Sequence, residues 1–144
     1  MNRAQLENVL PHRGTMLLPD SAELTPDGTA RGERLIRGDE FFLDGHFPKD
    51  PIVPGVILCE LLAQTACVLL SHRAGGCKTL LTGLDRVRFK NPVRPGDTAV
   101  TQCKIVGQMG YFYTAEGTVS VKDTLCATAR FSFALIPATK EENA

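Results

Sequence analysis

The sequence predicts an α+β fold in which a curved antiparallel sheet wraps around one long central helix. Two observations carry that expectation: a single strong helical run from Val56 to Arg73, apolar on nearly every side, and a change after it to β-rich runs separated by turn residues. A helix apolar all round has to be covered on every face. With only one helix of that length, the cover has to be the sheet. The chain has 144 residues, 43% of them apolar and 22% charged, which suits one folded domain spanning residues 1–144.

Taken in order, residues 5–9 have a short helical pattern that Pro11 stops. Met16-Leu17-Leu18 suggests a first short strand, with residues 29–37 as its hairpin partner across the turn Pro26-Asp27-Gly28. Residues 39–55 hold His46, three prolines and two glycines, Gly45 and Gly55, too punctuated for regular structure and a plausible place for chemistry. The long helix then follows, with Pro54 before its first turn, His72 and Arg73 in its last, and Gly75-Gly76 beyond. Its length would be roughly 27 Å at about 1.5 Å per residue. A membrane span is the competing reading of this run; Glu60 and Gln64 near its middle argue against it. Strand-like runs come next at 79–84, 87–89, 98–106, 111–121 and 124–136, and the last three read as an antiparallel meander.

Sixteen basic residues balance sixteen acidic ones, which removes the positive field expected of a dedicated nucleic-acid binder. The five cysteines are an odd number without a C-x-x-C pair, as expected of reduced structural thiols. The first residues have neither an apolar signal core nor a small-residue cleavage site, so a cytoplasmic location is expected. No His, Cys, Asp or Glu set has metal-ligand spacing, and no metal is expected.

Glu60 is the most informative single residue. Inside a buried apolar helix its carboxyl would be desolvated, its pKa raised, and the protonated form available as an acid. Alternatively it shares a solvent-facing stripe with Gln64, four residues on. His46, in Asp44-Gly45-His46-Phe47-Pro48, either projects from a fixed turn as a base or is structural. His12, after a proline in an expected turn, and His72, near the helix C-terminus, are weaker candidates. Gly55 opens the helix, and its unpaired N–H at the positive end of the dipole would suit an oxyanion, or it is simply a turn glycine. Strand alternation would set Arg86, Arg88 and Lys90 on one face and Val87 and Phe89 on the other, a basic stripe for an acidic partner or a solvated face.

In order and spacing, these pieces resemble the 3-hydroxyacyl acyl-carrier-protein dehydratases of type II fatty acid synthesis, the FabZ type, which have the hot-dog fold. The resemblance rests on Leu10-Pro11-His12-Arg13, the segment from Phe41 to Pro48, Pro51-Ile52-Val53-Pro54-Gly55-Val56, Glu60-Leu61-Leu62-Ala63-Gln64, and the segment from Arg88 to Asp97. It implies that His46 is the catalytic histidine, Glu60 the catalytic carboxylate and Gly55 the N–H that binds the thioester carbonyl. It also implies that His46 of one subunit works with Glu60 of its partner in a homodimer, often within a trimer of dimers, with acyl carrier protein delivering the substrate and no cofactor. Glutamate rather than aspartate at position 60 makes isomerisation to a 3-enoyl product less expected. An acyl-thioester hydrolase and a non-catalytic carrier-protein-binding subunit are the alternatives. Two departures stand out: Pro19 before Asp20, expected to alter the first strand, and Lys49-Asp50, expected to alter the loop beside His46.

Overall fold

The computed structural model describes residues 1–137, so the last seven residues of the expected domain lie outside the described residues. A short helix α1 (Arg3–Leu6) and two short strands, β1 (Ser21–Leu24) and β2 (Ala30–Leu35), precede the long helix α2 (Gly55–Cys67). Four longer strands follow it: β3 (Cys77–Phe89), β4 (Thr98–Met109), β5 (Phe112–Val121) and β6 (Thr124–Pro137). All neighbours pair antiparallel, in the order β1-β2-β4-β5-β6-β3. The meander β4-β5-β6 forms the middle of the sheet. The sheet curves around α2 in the hot-dog arrangement that the sequence predicts.

Small residues on the inner face let the helix approach closely. Ala99, Ala115, Ala127 and Ala129 are all buried beneath it. At Gly117 a Cβ would lie 2.8 Å from Leu62 Cδ2 and 2.9 Å from Cys103 Sγ. At Gly32 it would lie 2.6 Å from Thr101 Oγ1 and 2.8 Å from Thr65 Oγ1, inside the closest approach that packed atoms tolerate. Thr65 Oγ1 donates to Leu61 O at 2.8 Å and lies 2.8 Å from Thr101 Oγ1, which satisfies a buried hydroxyl pair between helix and sheet. Leu58, Leu61, Leu62 and Ala66 fill the remaining contact with Phe131, Phe133 and Val119.

The helical run continues past α2 as a 3₁₀ turn, Val68–Leu70, and a short helix α3, Ser71–Ala74, so its last turns are tighter than a straight α-helix. The stretch Gly55–Ala74 is long and apolar enough to cross a bilayer, with mean hydropathy 1.6, but 61% of its most apolar window is buried within the protein. It is a core helix. All five cysteines are free thiols, and Cys59, Cys67, Cys103 and Cys126 are buried.

Three expectations need correction. Met16-Leu17-Leu18 is not a strand: residues Gly14–Met16 form a 3₁₀ turn, and the hairpin partner of β2 is Ser21–Leu24. The polar backbone of this segment is instead satisfied by side chains, since Leu18 N donates to Gln64 Oε1 at 2.9 Å and Leu18 O accepts from Arg34 Nη1 at 3.0 Å. The runs 79–84 and 87–89 are one strand, β3, interrupted by register shifts at Leu81/Gly83 and Asp85/Arg88. The second shift takes Arg86 to φ 50°, so the alternation assumed for the basic stripe fails there.

The Gly32 contact gives a direct stability test. Gly32→Ala is expected to overpack the Thr65–Thr101 junction by about 1–3 kcal/mol. In urea unfolding this appears as a lower midpoint with an unchanged m-value.

Candidate active site

The loop bearing His46 is fixed by turns. His46 N donates to Leu43 O at 3.1 Å and Asp50 N to Phe47 O at 2.8 Å, with Gly45 at φ 75° and Phe47 at φ 55°. The positive φ at Phe47, a bulky residue, is uncommon and shows how strictly the loop is held. Asp50 closes the loop from outside through Arg94, whose Nε lies 3.1 Å from Asp50 Oδ1. The Lys49-Asp50 departure therefore supplies a tether. Both members are exposed, and the Arg94 guanidinium holds the Asp50 carboxyl below its ordinary pKa.

His46 Nδ1 lies 2.7 Å from Ile52 O. A carbonyl can only accept, so Nδ1 carries the proton and Nε2 is left with its lone pair free. That is the tautomer a base requires. His46 lines a cavity of about 440 Å³ with Gly55, Val56, Phe89, Lys90 and Asn91. At the cavity wall α2 begins: Ile57 N and Leu58 N turn back to Pro54 O, and the Gly55 N–H, earlier in the first turn, has no intrahelical acceptor. The Phe89 ring lies against Gly55 so closely that a Cβ there would meet its Cζ at 2.6 Å. Any side chain at position 55 would displace that ring.

Glu60 lies one and a half turns along α2 and opens elsewhere. It lines a separate small cavity with His12, Gln64, Cys67, Thr79, Leu81 and Phe133. Within one chain, His46 and Glu60 do not share a cavity. The solvent stripe with Gln64 does not exist either: Gln64 is 1% exposed. Its Oε1 accepts from Leu18 N, while its Nε2 donates to Met16 O at 2.8 Å and to Glu60 Oε1 at 3.1 Å.

The expectation of a neutral Glu60 acid is overturned. Burial pushes its carboxyl pKa up, but hydrogen bonds from His12 and Gln64, together with the attraction of His12, outweigh burial and leave it below the ordinary glutamate value. Glu60 is a carboxylate near neutral pH. Its charge adds to burial in pushing the neighbouring Cys67 thiol up to about 12.

The basic residues do not share one face. The β3 bulge sends Arg86 to a groove on the outer sheet surface with Lys104 and Arg130, whereas Lys90 stays at the His46 cavity. Arg88 is exposed on the strand between them; Val87 is partly buried against the core, and Phe89 is 56% exposed over Gly55.

His12 and the pair Arg34–Glu40 are the residues that sequence reasoning undervalued. Arg34 Nη2 lies 2.9 Å from Glu40 Oε2, both nearly buried, and Glu40 also accepts from the backbone N–H groups of Arg37 and Gly38. This anchors the segment leading to His46. No group of three or more His, Cys, Asp or Glu among the described residues could hold a metal ion.

Residues 23–128 match a family model described as ApeI-like, ApeI dehydratase. The chain is 39% identical over 135 residues to a 3-hydroxyacyl-[acyl-carrier-protein] dehydratase FabZ of Psychrobacter arcticus, covering 90% of this chain and 92% of that protein. It is 38% identical to the FabZ of Syntrophobacter fumaroxidans over 146 aligned positions, covering 99% and 98%. Among solved structures it resembles the dehydratase heterocomplex ApeI:P from Xenorhabdus doucetiae, with TM-score 0.78, 23% identity and coverage of 96% and 93%. It also resembles the E. coli PaaI protein, with TM-score 0.61, 14% identity and coverage of 79% and 81%, a likeness of fold.

Glu40 offers a pH test of the anchor. Burial raises its pKa, but the Arg37 and Gly38 N–H groups and Arg34 more than offset this, so its folded pKa is depressed. The stability it contributes is present above the unfolded glutamate pKa of about 4.3 and is lost as pH falls through the folded value. Glu40→Gln is expected to cost about 3–5 kcal/mol at pH 7, because Arg34 loses its buried partner. Urea midpoints measured from pH 7 to 3 should fall less steeply for the variant than for the native protein.

Proposed function

Because the chain belongs to the FabZ and ApeI-like dehydratase family, we propose that His46 is its base, Gly55 its oxyanion donor, and Glu60 of the partner subunit the carboxylate that completes the site. The reaction is removal of water from a (3R)-3-hydroxyacyl thioester to give the trans-2-enoyl thioester, in fatty acid biosynthesis in the cytoplasm, with acyl carrier protein presenting the substrate.

The observation that carries the two-subunit reading is the placement of both cavities along β3. This strand is an edge of the sheet, and Leu80, Leu81 and Leu84 are exposed at 49%, 40% and 46%. Such an apolar edge invites a further strand. Thr79 and Leu81 wall the Glu60 cavity, and Phe89 walls the His46 cavity. Antiparallel pairing of two β3 strands about Leu84 sets residue 79 of one opposite residue 89 of the other. Each His46 then faces the partner's Glu60 in a two-fold dimer, three of which would form the hexamer expected of the family. Lys90, at the mouth beside His46, is the best placed of the basic residues to meet an acidic carrier, with Arg88 next to it on the strand.

The chemistry follows from the site. The Gly55 N–H hydrogen-bonds the thioester oxygen as charge grows there. His46 Nε2 takes the α-proton, the C–H electrons form the enolate, and their return expels the 3-hydroxyl as the C–O bond breaks. The leaving group needs a proton, and a carboxylate has none to give. His46, now an imidazolium, supplies the one it has just taken, while Glu60 accepts the hydroxyl's own O–H and turns its lone pair toward Nε2. Water leaves and His46 ends as it began. The apolar surroundings of the cavity suit an acyl chain.

Enoyl thioester absorbance, followed with a 3-hydroxyacyl substrate, is expected to rise with the native protein, without release of free thiol. His46→Ala should lower the rate roughly 10²–10⁴-fold, and Glu60→Ala should be similarly impaired. An equimolar mixture of the two variants, unfolded and refolded together, should regain roughly a quarter of native activity, because half the dimers are mixed and each mixed dimer holds one intact site. No regain would sink the shared site; free thiol without enoyl product would mean a hydrolase.

A further inference from the structure

We infer that His12 is a positioning residue, which holds the Glu60 carboxylate by one oxygen and presents the other to the substrate. The inference rests on Glu60 being the catalytic carboxylate. His12 Nε2 lies 3.2 Å from Glu60 Oε1, and Gln64 Nε2 donates to that same oxygen at 3.1 Å. Two donors converge on Oε1. Oε2 accepts no hydrogen bond among the described residues, so it is the oxygen left for a 3-hydroxyl.

The second nitrogen of His12 supports the assignment. Nδ1 is buried with no partner among the described residues, and a buried N–H without an acceptor costs more than it returns. The proton therefore belongs on Nε2, the nitrogen 3.2 Å from Glu60 Oε1. The loop is built to deliver it: Arg13, next in sequence, donates from Nη1 to Leu10 O at 2.7 Å and from Nη2 to Glu7 O at 2.9 Å, which ties residues 7–13 into one unit. Pro11 fixes φ immediately before His12.

Two donors on one oxygen divide the labour. Gln64 is fixed by Met16 O and Leu18 N as well as by Glu60, so it sets the carboxylate's position. His12 adds the interaction that favours the ionised form. The titratable groups facing Glu60 are His12, from the loop before β1, and Cys67, two turns along its own helix; β3 contributes Thr79 and Leu81 and β6 contributes Phe133, none of which titrates. Cys67 stays a neutral thiol in the working range. Within one chain, His12 is then the titrating neighbour that favours the ionised form of Glu60; in the proposed dimer His46 of the partner subunit faces it as well.

The test combines kinetics with a titration that does not depend on turnover. In protein labelled with ¹³C at the glutamate side-chain carboxyl, with Glu60→Gln to assign the signal, Glu60 of the native chain is expected to titrate below about 4.3, the ordinary value. In His12→Ala the signal should move to higher pH. Roughly tenfold or more should be lost from kcat with KM little changed. His12→Gln, which keeps an N–H donor, should restore much of both. A native Glu60 that titrates at or above about 4.3 overturns the inference even where His12→Ala fails to fold. A carboxyl signal unmoved in folded His12→Ala, or a loss of turnover that Gln does not rescue, overturns it as well. If Glu60→Gln keeps full turnover, the catalytic reading of Glu60 fails, and the carboxyl titration still reports separately whether His12 holds it.

Discussion

A carboxylate near the middle of a buried apolar helix is the constraint around which this molecule is arranged. Left alone, Glu60 would take up a proton or drag water into the core. Instead it is met by an imidazole and an amide, and each of these donors is itself held. Gln64 is gripped by the backbone of residues 16 and 18, and Leu18 O is gripped by Arg34, which pairs with Glu40. The chain of contacts runs from α2 through the segment before β1 to β2 and on to the loop that precedes His46. A half-satisfied version would be worse than an apolar core. That explains why the segment at residues 14–18 gives up strand pairing: its polar backbone groups are used by Gln64 and Arg34.

The same helix also has to touch the sheet, and here the demand is for smallness. Gly32, Gly117 and the row of inner alanines remove side-chain volume where α2 crosses β2, β4 and β5. Bulk is restored at the far side by Phe131 and Phe133, and the Thr65–Thr101 hydroxyl pair closes a polar gap between helix and sheet. The helix is thereby fixed in rotation. Rotation decides where Gly55 and Glu60 point: one at the His46 cavity, the other toward Thr79 and Leu81. Core packing and site geometry are the same problem in this fold.

Much of this was legible in the sequence, for reasons that differ by element. The long apolar helix and the β4-β5-β6 meander follow from periodicity and turn residues, which are local signals. Residues 16–18 read as a strand because three apolar residues in a row look alike whether the backbone bonds to a strand or to side chains 46 residues away. The basic stripe failed for a related reason: alternation presumes an unbroken ladder, and the bulge at Asp85/Arg88 has no mark in composition. His46, Glu60 and Gly55 were identifiable as candidates, but their division between two cavities depends on where β3 falls in the sheet. His12 also carries a signal in the sequence: a carboxylate inside an apolar helix requires a donor from outside that helix, and the chain has only two other histidines.

In the reaction proposed above, the ionisation of Glu60 also bears on why two different residues would serve its two tasks. Had Glu60 been a neutral acid, base and acid would be independent, and each turnover would have to reset both through solvent. With Glu60 held as a carboxylate by His12 and Gln64, the proton has one carrier, and it returns to the substrate it came from. Such a cycle needs Nε2 within reach of both the α-carbon and the 3-hydroxyl, and therefore a hydroxyl that does not wander. The Nδ1–H to Ile52 O bond fixes the imidazole; a one-sided grip on Glu60 leaves Oε2 to fix the hydroxyl. On the proposed mechanism the elimination is governed by how rigidly two side chains on two elements are held, which is a property of the buried network rather than of either residue alone.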